Sequence, residues 1–273
     1  MWTVSDLNCE GEKETMLLDK DAKLPGEKLD EEMRRDEGMQ RPDPVTAASW
    51  FVRDYYPAAL GAMLSGSQAR GEGHNSSDLD LVILNSVGQP HWATFEAYDW
   101  PIEAFVMTPA SYAHMFAVEV EHRWPIYLRM SAESLILFDL DGQTALMQQT
   151  AQQLMAAGPL PLNAEEVAQT RYHLTSVMAD MADIDDRDEL RILAHDLVDS
   201  LIDACLGYSR HWLGKGKWRW RYLRDCDPLA ATRLSRAMTA FYQHNDKEPL
   251  LKFARGVLSL FGGPLFAGRF TAY

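Results

Sequence analysis

Two hydrophobic rhythms divide this chain, short alternating or continuous apolar runs in its first half and helical spacing in its second. Residues 60–64 form an apolar run that ends in the small-residue turn Ser65-Gly66-Ser67. After a polar loop, residues 78–84 read Asp-Leu-Asp-Leu-Val-Ile-Leu, which predicts a second strand. Successive strand side chains point to opposite faces, so Asp78 and Asp80 share one face while Leu79 and Leu81 take the other. Further strands are predicted over 100–107 and over 134–139, the latter closed by the turn signal Asp141-Gly142. Residues 85–92, with Gly88 and Pro90, read as a connection.

Helices frame these strands. Asp43 is placed to cap a helix with Pro44 at its first position, and Val45, Ala48, Phe51, Val52 and Tyr55 recur at helical spacing before Pro57 ends it. Thr108-Pro109 predicts a helix through Phe116 and Glu119. From Gly142 onward the period is helical: residues 143–157, a hinge at 158–161, a helix capped by Asn163, a long helix over 188–212, and another from Asp227-Pro228. Leu190, Leu197, Leu201 and Cys205 make one face of the long helix, with Asp196, Asp199 and Asp203 opposite. That stripe is either solvated surface or a pocket wall for a cationic ligand. The expected class is α+β, a small mixed β-sheet with flanking helices followed by an α-helical bundle. The expected segments are a charged extension at 1–42, a sheet-bearing domain at 43–142 and a helical domain at 143–273.

Composition narrows the partners. The chain has 273 residues, 47% of them hydrophobic, and a formal charge of −14. Residues 1–40 alone carry 12 acids and 6 bases. Phosphate backbones are held by lysine and arginine footprints, so nucleic acid is disfavoured as a partner and a cationic molecule favoured. Cys9, Cys205 and Cys226 lie far apart, which suggests neither a disulfide framework nor a zinc site. With no long apolar segment and no basic start followed by an apolar run, the expectation is a cytoplasmic protein off the membrane. No oligomeric state is implied.

The chemistry lies in 65–80. Two carboxylates at the mouth of a strand suit a hard divalent cation such as Mg2+, which takes carboxylate and phosphate oxygens. The Gly66-Ser67 turn offers close backbone approach and free N–H groups for a phosphate. Arg70 either contacts that phosphate or braces the loop, and His74 reads as a loop residue. Glu103, a carboxylate on an otherwise apolar strand, is either a third acid of the site or an edge residue paired with an arginine. Lys215 and Lys217, spaced by glycines after the long helix, either reach a polyphosphate or complement the helix carbonyls. The Trp218-Arg219-Trp220-Arg221 run reads as aromatic packing with extended arginines, against a base-stacking patch as the other reading.

Gly66-Ser67, a spacer with Arg70-Gly71, then Ser77 and Asp78-x-Asp80 on an apolar strand resemble the DNA polymerase beta-like nucleotidyltransferase superfamily, in its minimal nucleotidyltransferase branch. The plan of the whole chain is similar to aminoglycoside nucleotidyltransferases. The resemblance implies that Asp78 and Asp80 bind metal, with Glu103 as third ligand or base. It implies that Gly66, Ser67, Arg70 and Ser77 hold a triphosphate, and that Lys217, with Lys215 second, faces the nucleotide. The implied activity moves a nucleoside monophosphate, AMP from ATP, to an acceptor such as a small cationic aminoglycoside. Members of the superfamily also modify proteins or RNA ends. The rival reading is a non-catalytic, regulatory or antitoxin-like nucleotide-binding protein.

Overall fold

The structure is a computed structural model that describes residues 41–74 and 76–267, so the charged extension lies outside the described residues except for Arg41 and Pro42. Asp43 caps helix α1 (Pro44–Tyr55) as its sequence predicts, its carboxylate accepting from the backbone N–H of Val45 and Thr46. Ala47, Ala48, Phe51 and Val52 are buried on the inner face of α1. Full burial of Phe51 alone contributes about 1.5–3 kcal/mol.

That face covers one side of a five-stranded mixed sheet, β1 (Ala59–Ser65), β2 (Leu79–Asn85), β3 (His91–Ala97), β4 (Trp100–Met107) and β5 (Leu135–Asp139), in the order β3-β4-β2-β1-β5. Strands β2 and β4 are parallel, and every other neighbouring pair is antiparallel. The fold is α+β. Strand β3 begins inside the stretch expected to be a connection. It joins β4 through Tyr98 and Asp99, both at positive φ (54° and 61°). Two such residues make the hairpin turn whose twist matches the strands, usually marked by Asn-Gly or Asp-Gly. Here the strain is offset by docking, because the Tyr98 hydroxyl donates to the Asp54 carboxylate and its ring meets the edge of Trp50 on α1.

Helices α3 (Pro109–His122), α4 (Ile126–Ala132) and α5 (Gln143–Ala157) lie over the other side of the sheet. Between β1 and β2 runs only the short α2 (Gly66–Ala69) and its loop. Helix α5 reaches close to β1 because Gly61 has no side chain; a Cβ there would fall 1.9 Å from the Thr144 hydroxyl. Helix α4 has no cap of its own at Pro125. Glu119 of α3 supplies one, accepting from the N–H groups of Ile126, Tyr127 and Leu128 at 3.0, 2.7 and 2.8 Å. Burial pushes its carboxyl up to about 7 despite those bonds.

The remaining helices are α6 (Ala164–Asp183), α7 (Arg187–Tyr208), α8 (Lys217–Cys226), α9 (Pro228–His244) and α10 (Glu248–Leu260). One apolar cluster runs from Met63, Val82 and Leu84 of the sheet through Met147 to Leu201, Leu223 and Phe241 of these helices. The glycine-proline stretch at 158–161 is pinned. The buried Arg123 guanidinium donates to the carbonyls of Leu160 and Pro161 and forms a paired contact with Glu166. Helix α7 ends at Tyr208, short of the predicted 212, because the chain turns at Arg210 (φ 53°) to dock. Leu213 N–H donates to the Arg123 carbonyl and the Trp212 indole to that of Met155. Among the described residues no helix is long and apolar enough to cross a membrane.

Candidate functional site

Strand register builds the site. Across the sheet Ser65 of β1 pairs with Asp80 of β2, Asp80 with Glu103 of β4, and Glu103 with Thr94 of β3. Residues paired in register share a face. The face is the one turned to the helices, since Val82, Phe105 and Met107, two and four positions further along, belong to the core beneath α3–α5. Because β2 and β4 are parallel and in register, the two carboxylates stand level, Asp80 at the start of β2 and Glu103 midway along β4, beside the point where β1 finishes and α2 starts. Asp78 precedes β2 on the same side. One oxygen each of Asp78, Asp80 and Glu103 can be chosen so that all lie within 4.8 Å of one another.

Gly66 closes the other side. Its φ is +70°, and a Cβ there would fall 1.9 Å from Asp80 Oδ2. The bend therefore lies directly against the Asp80 carboxylate, and only glycine leaves that room. Ser65 anchors it, its hydroxyl donating to the Met130 carbonyl of α4 at 2.9 Å. Ser67 is half-buried, and its hydroxyl makes no hydrogen bond among the described residues. Ser77 is engaged within the loop, its oxygen accepting from His74 N–H at 3.0 Å.

Electrostatics make this a demanding place for anions alone. Burial first, then the neighbouring Asp78 and Glu103, push the Asp80 carboxyl up to about 6, while Arg70 and Arg129 pull it the other way. A hard divalent cation would neutralise the crowding that burial and like charge create, and an all-oxygen donor set fits one. Proton and cation then compete. Divalent-cation affinity measured by calorimetry is expected to fall about tenfold from pH 7.5 to pH 5.0, one unit below the Asp80 value. The stability sign is opposite. A raised folded-state pKa means that Asp80 favours the fold below 3.8 and loses that contribution as pH climbs through about 6. A cation affinity that stays flat across this range would contradict the assignment.

Two arginines act on the acids through their charge. Arg70 is braced, with Nε 3.2 Å from Glu72 and Nη1 3.1 Å from Glu133. Arg129 of α4 is absent from any motif reading, yet it acts on Asp80. It stacks 3.6 Å over the Trp218 indole and donates to the Tyr222 hydroxyl at 3.0 Å. Arg221 and Arg70 flank the same indole at 4.7 and 5.3 Å. The glycine-lysine segment thus delivers Trp218 to the arginine cluster. Lys215 and Lys217 are exposed and form no ion pair among the described residues.

The other polar groupings are structural. Arg219 takes both Asp199 and Asp203, so two acids of the α7 stripe are already neutralised. Ser200 and Asp196 both approach Nε2 of His173, at 2.9 and 3.5 Å, which is no relay because a relay needs one partner on each ring nitrogen. A groove of about 450 Å3 lined by Trp220, Met238 and Tyr242 holds no carboxylate, histidine or cation and is not where charge chemistry would occur.

Neither a family model nor a curated protein matches the sequence. Among solved structures, the chain is similar to a nucleotidyltransferase-like protein from Exiguobacterium sibiricum 255-15 at 11% identity and a TM-score of 0.44, over 80% of this chain and 74% of that one. So loose a likeness carries no functional argument.

Proposed function

We propose that this chain is a metal-dependent nucleotidyltransferase that moves a nucleoside monophosphate, AMP from ATP, to an acceptor and releases pyrophosphate. One observation carries the reading: three carboxylates, Asp80 and Glu103 on parallel strands and Asp78 just ahead of β2, converge beside a glycine bend. The acids fit a cation, and Arg70 and Arg129, whose charges act on Asp80, fit a polyphosphate beside it.

Asp78, Asp80 and Glu103 would hold the cation, which when bound neutralises charge on the phosphoryl oxygens. Gly66 and Ser67 offer their N–H groups, and Ser67 its free hydroxyl, to the β- and γ-phosphates. Arg70, released from Glu133, and Arg129 add positive charge beside the leaving pyrophosphate. Ser77 shapes the loop behind them, and Lys217, then Lys215, reach from the N-terminus of α8. The acceptor oxygen attacks the α-phosphorus in line, and the bond from that phosphorus to the β-phosphate oxygen breaks. Glu103 either takes the acceptor proton or serves wholly as a ligand.

The test is pyrophosphate release from Mg-ATP with a panel of acceptors, with the other nucleoside triphosphates compared. Release that needs both acceptor and divalent cation is expected. Tight ATP binding with no release under any condition would instead favour a non-catalytic, regulatory protein.

A further inference from the structure

Strand register sets the acids of the site, whereas the groups assigned to the phosphates hang on one short helix. The Met130 carbonyl of α4 accepts from the Ser65 hydroxyl at 2.9 Å and so fixes the bend just before Gly66. Arg129, one residue earlier, donates to the Tyr222 hydroxyl and stacks on Trp218. Yet α4 has only 7 residues and no side-chain cap at Pro125. A helix that short does not hold its shape alone. What ties its first turn is Glu119, 6% exposed, which accepts from the N–H groups of Ile126, Tyr127 and Leu128. Among the described residues no other side chain bonds to that carboxylate, so its bonding goes wholly to α4. Capping normally falls to a serine, threonine or aspartate next to the helix. A buried glutamate from another helix costs more, because its charge is taken out of water.

We infer that Glu119 is a positioning residue of the transferase site, holding α4 so that Arg129 and the Gly66 bend address the same phosphates. The inference rests on the nucleotidyltransferase reading and concerns how that site is held. Three amides of one turn share one carboxylate, so its loss frees the turn from which Arg129 extends. Leu128 is the last of those donors, and Arg129 and Met130 follow it directly. A shift of α4 therefore moves both phosphate contacts together. It leaves the acids with β2 and β4, whose pairing does not involve α4. A misplacement of about 1 Å is enough to cost about a hundredfold in rate.

The experiment is calorimetry on the full chain, well below its melting temperature, with Mn2+ alone and then with Mg2+ and a non-hydrolysable ATP analogue. Glu119→Gln keeps the size of the side chain but sets an amide NH2 where an acceptor is needed. It should weaken analogue binding about tenfold while Mn2+ binds as it does in the wild type. In an Arg129→Ala background the same swap should cost about threefold at most, because the contact it positions is already gone. Leu234→Ala, which removes buried packing in α9, controls for stability and should leave both affinities unchanged. In the unaltered chain the analogue should slow amide exchange at Ile126, Tyr127 and Leu128 at least about tenfold, a readout that needs no variant to fold. Equal analogue affinity in wild type and Glu119→Gln, an equal loss in Leu234→Ala, or unchanged exchange would overturn the inference. So would a full tenfold loss in the Arg129→Ala background. Failure of the analogue to bind the wild type is a separate result, and it sinks the nucleotidyltransferase reading itself.

Discussion

Asp78→Asn and Asp80→Asn should each reduce pyrophosphate release at least about a thousandfold while leaving the chain folded. Each swap keeps the shape of the side chain and removes one anionic ligand from a set whose oxygens lie within 4.8 Å of one another. The two variants differ in what they do to stability. Burial and its neighbours raise the Asp80 carboxyl to about 6, so at neutral pH the ionised form is disfavoured in the fold. An amide there should raise the stability of the cation-free protein by about 1–2 kcal/mol, seen as a higher melting temperature at pH 7.5. At pH 5.0, where Asp80 is itself mostly protonated, the gain should shrink. Activity lost together with the fold would refute this prediction, because it would mean the acids serve packing and not chemistry.

The second large effect is at Gly66. Gly66→Ala should cost about a hundredfold or more in turnover, with a melting temperature that falls only modestly. The new methyl would sit 1.9 Å from Asp80 Oδ2 on a backbone at φ +70°. What must move is the end of an aspartate side chain, which rotates at small cost to the fold. The left-handed backbone adds about 1–2 kcal/mol of strain. The same rotation swings a ligand oxygen away from its partners, and that is where the activity goes. Calorimetric titration with Mn2+ separates the two, since cation affinity should drop far more than stability. Unchanged cation affinity would show that Gly66 serves the turn alone.

How much of this was legible in the sequence follows from which forces are local. The α1 cap at Asp43, the alternation of 78–84 and the helical period after Gly142 depend on neighbours in the chain, and they read correctly. Asp78 and Asp80 could be placed together in advance because strand alternation fixes which side chains share a face, whereas Glu103 joins them through the register of β2 with β4, for which only the family resemblance spoke. Strand β3 was hidden, since its hairpin turn uses Tyr98 and Asp99 in a conformation that most sequences mark with glycine. Only the docking of Tyr98 on Asp54 and Trp50, 44 and 48 positions earlier, makes it tolerable. Helix α4 was hidden for a similar reason, because its cap is the carboxylate of Glu119 from the preceding helix. With α4 went Arg129, which no motif contains and which is held in place by tertiary packing on Trp218. In the segment around Gly216 the sequence points to Lys215 and Lys217, and the fold adds the Trp218 indole, which meets Arg70, Arg129 and Arg221.

The most direct measurement of the central claim is anomalous scattering from Mn2+ in crystals of the full chain grown with a non-hydrolysable ATP analogue. The account predicts a manganese peak held by Asp78 and Asp80, with the analogue's phosphates running from it towards Gly66 and Arg129. A manganese peak elsewhere, or phosphates bound away from the Gly66 bend, would contradict it.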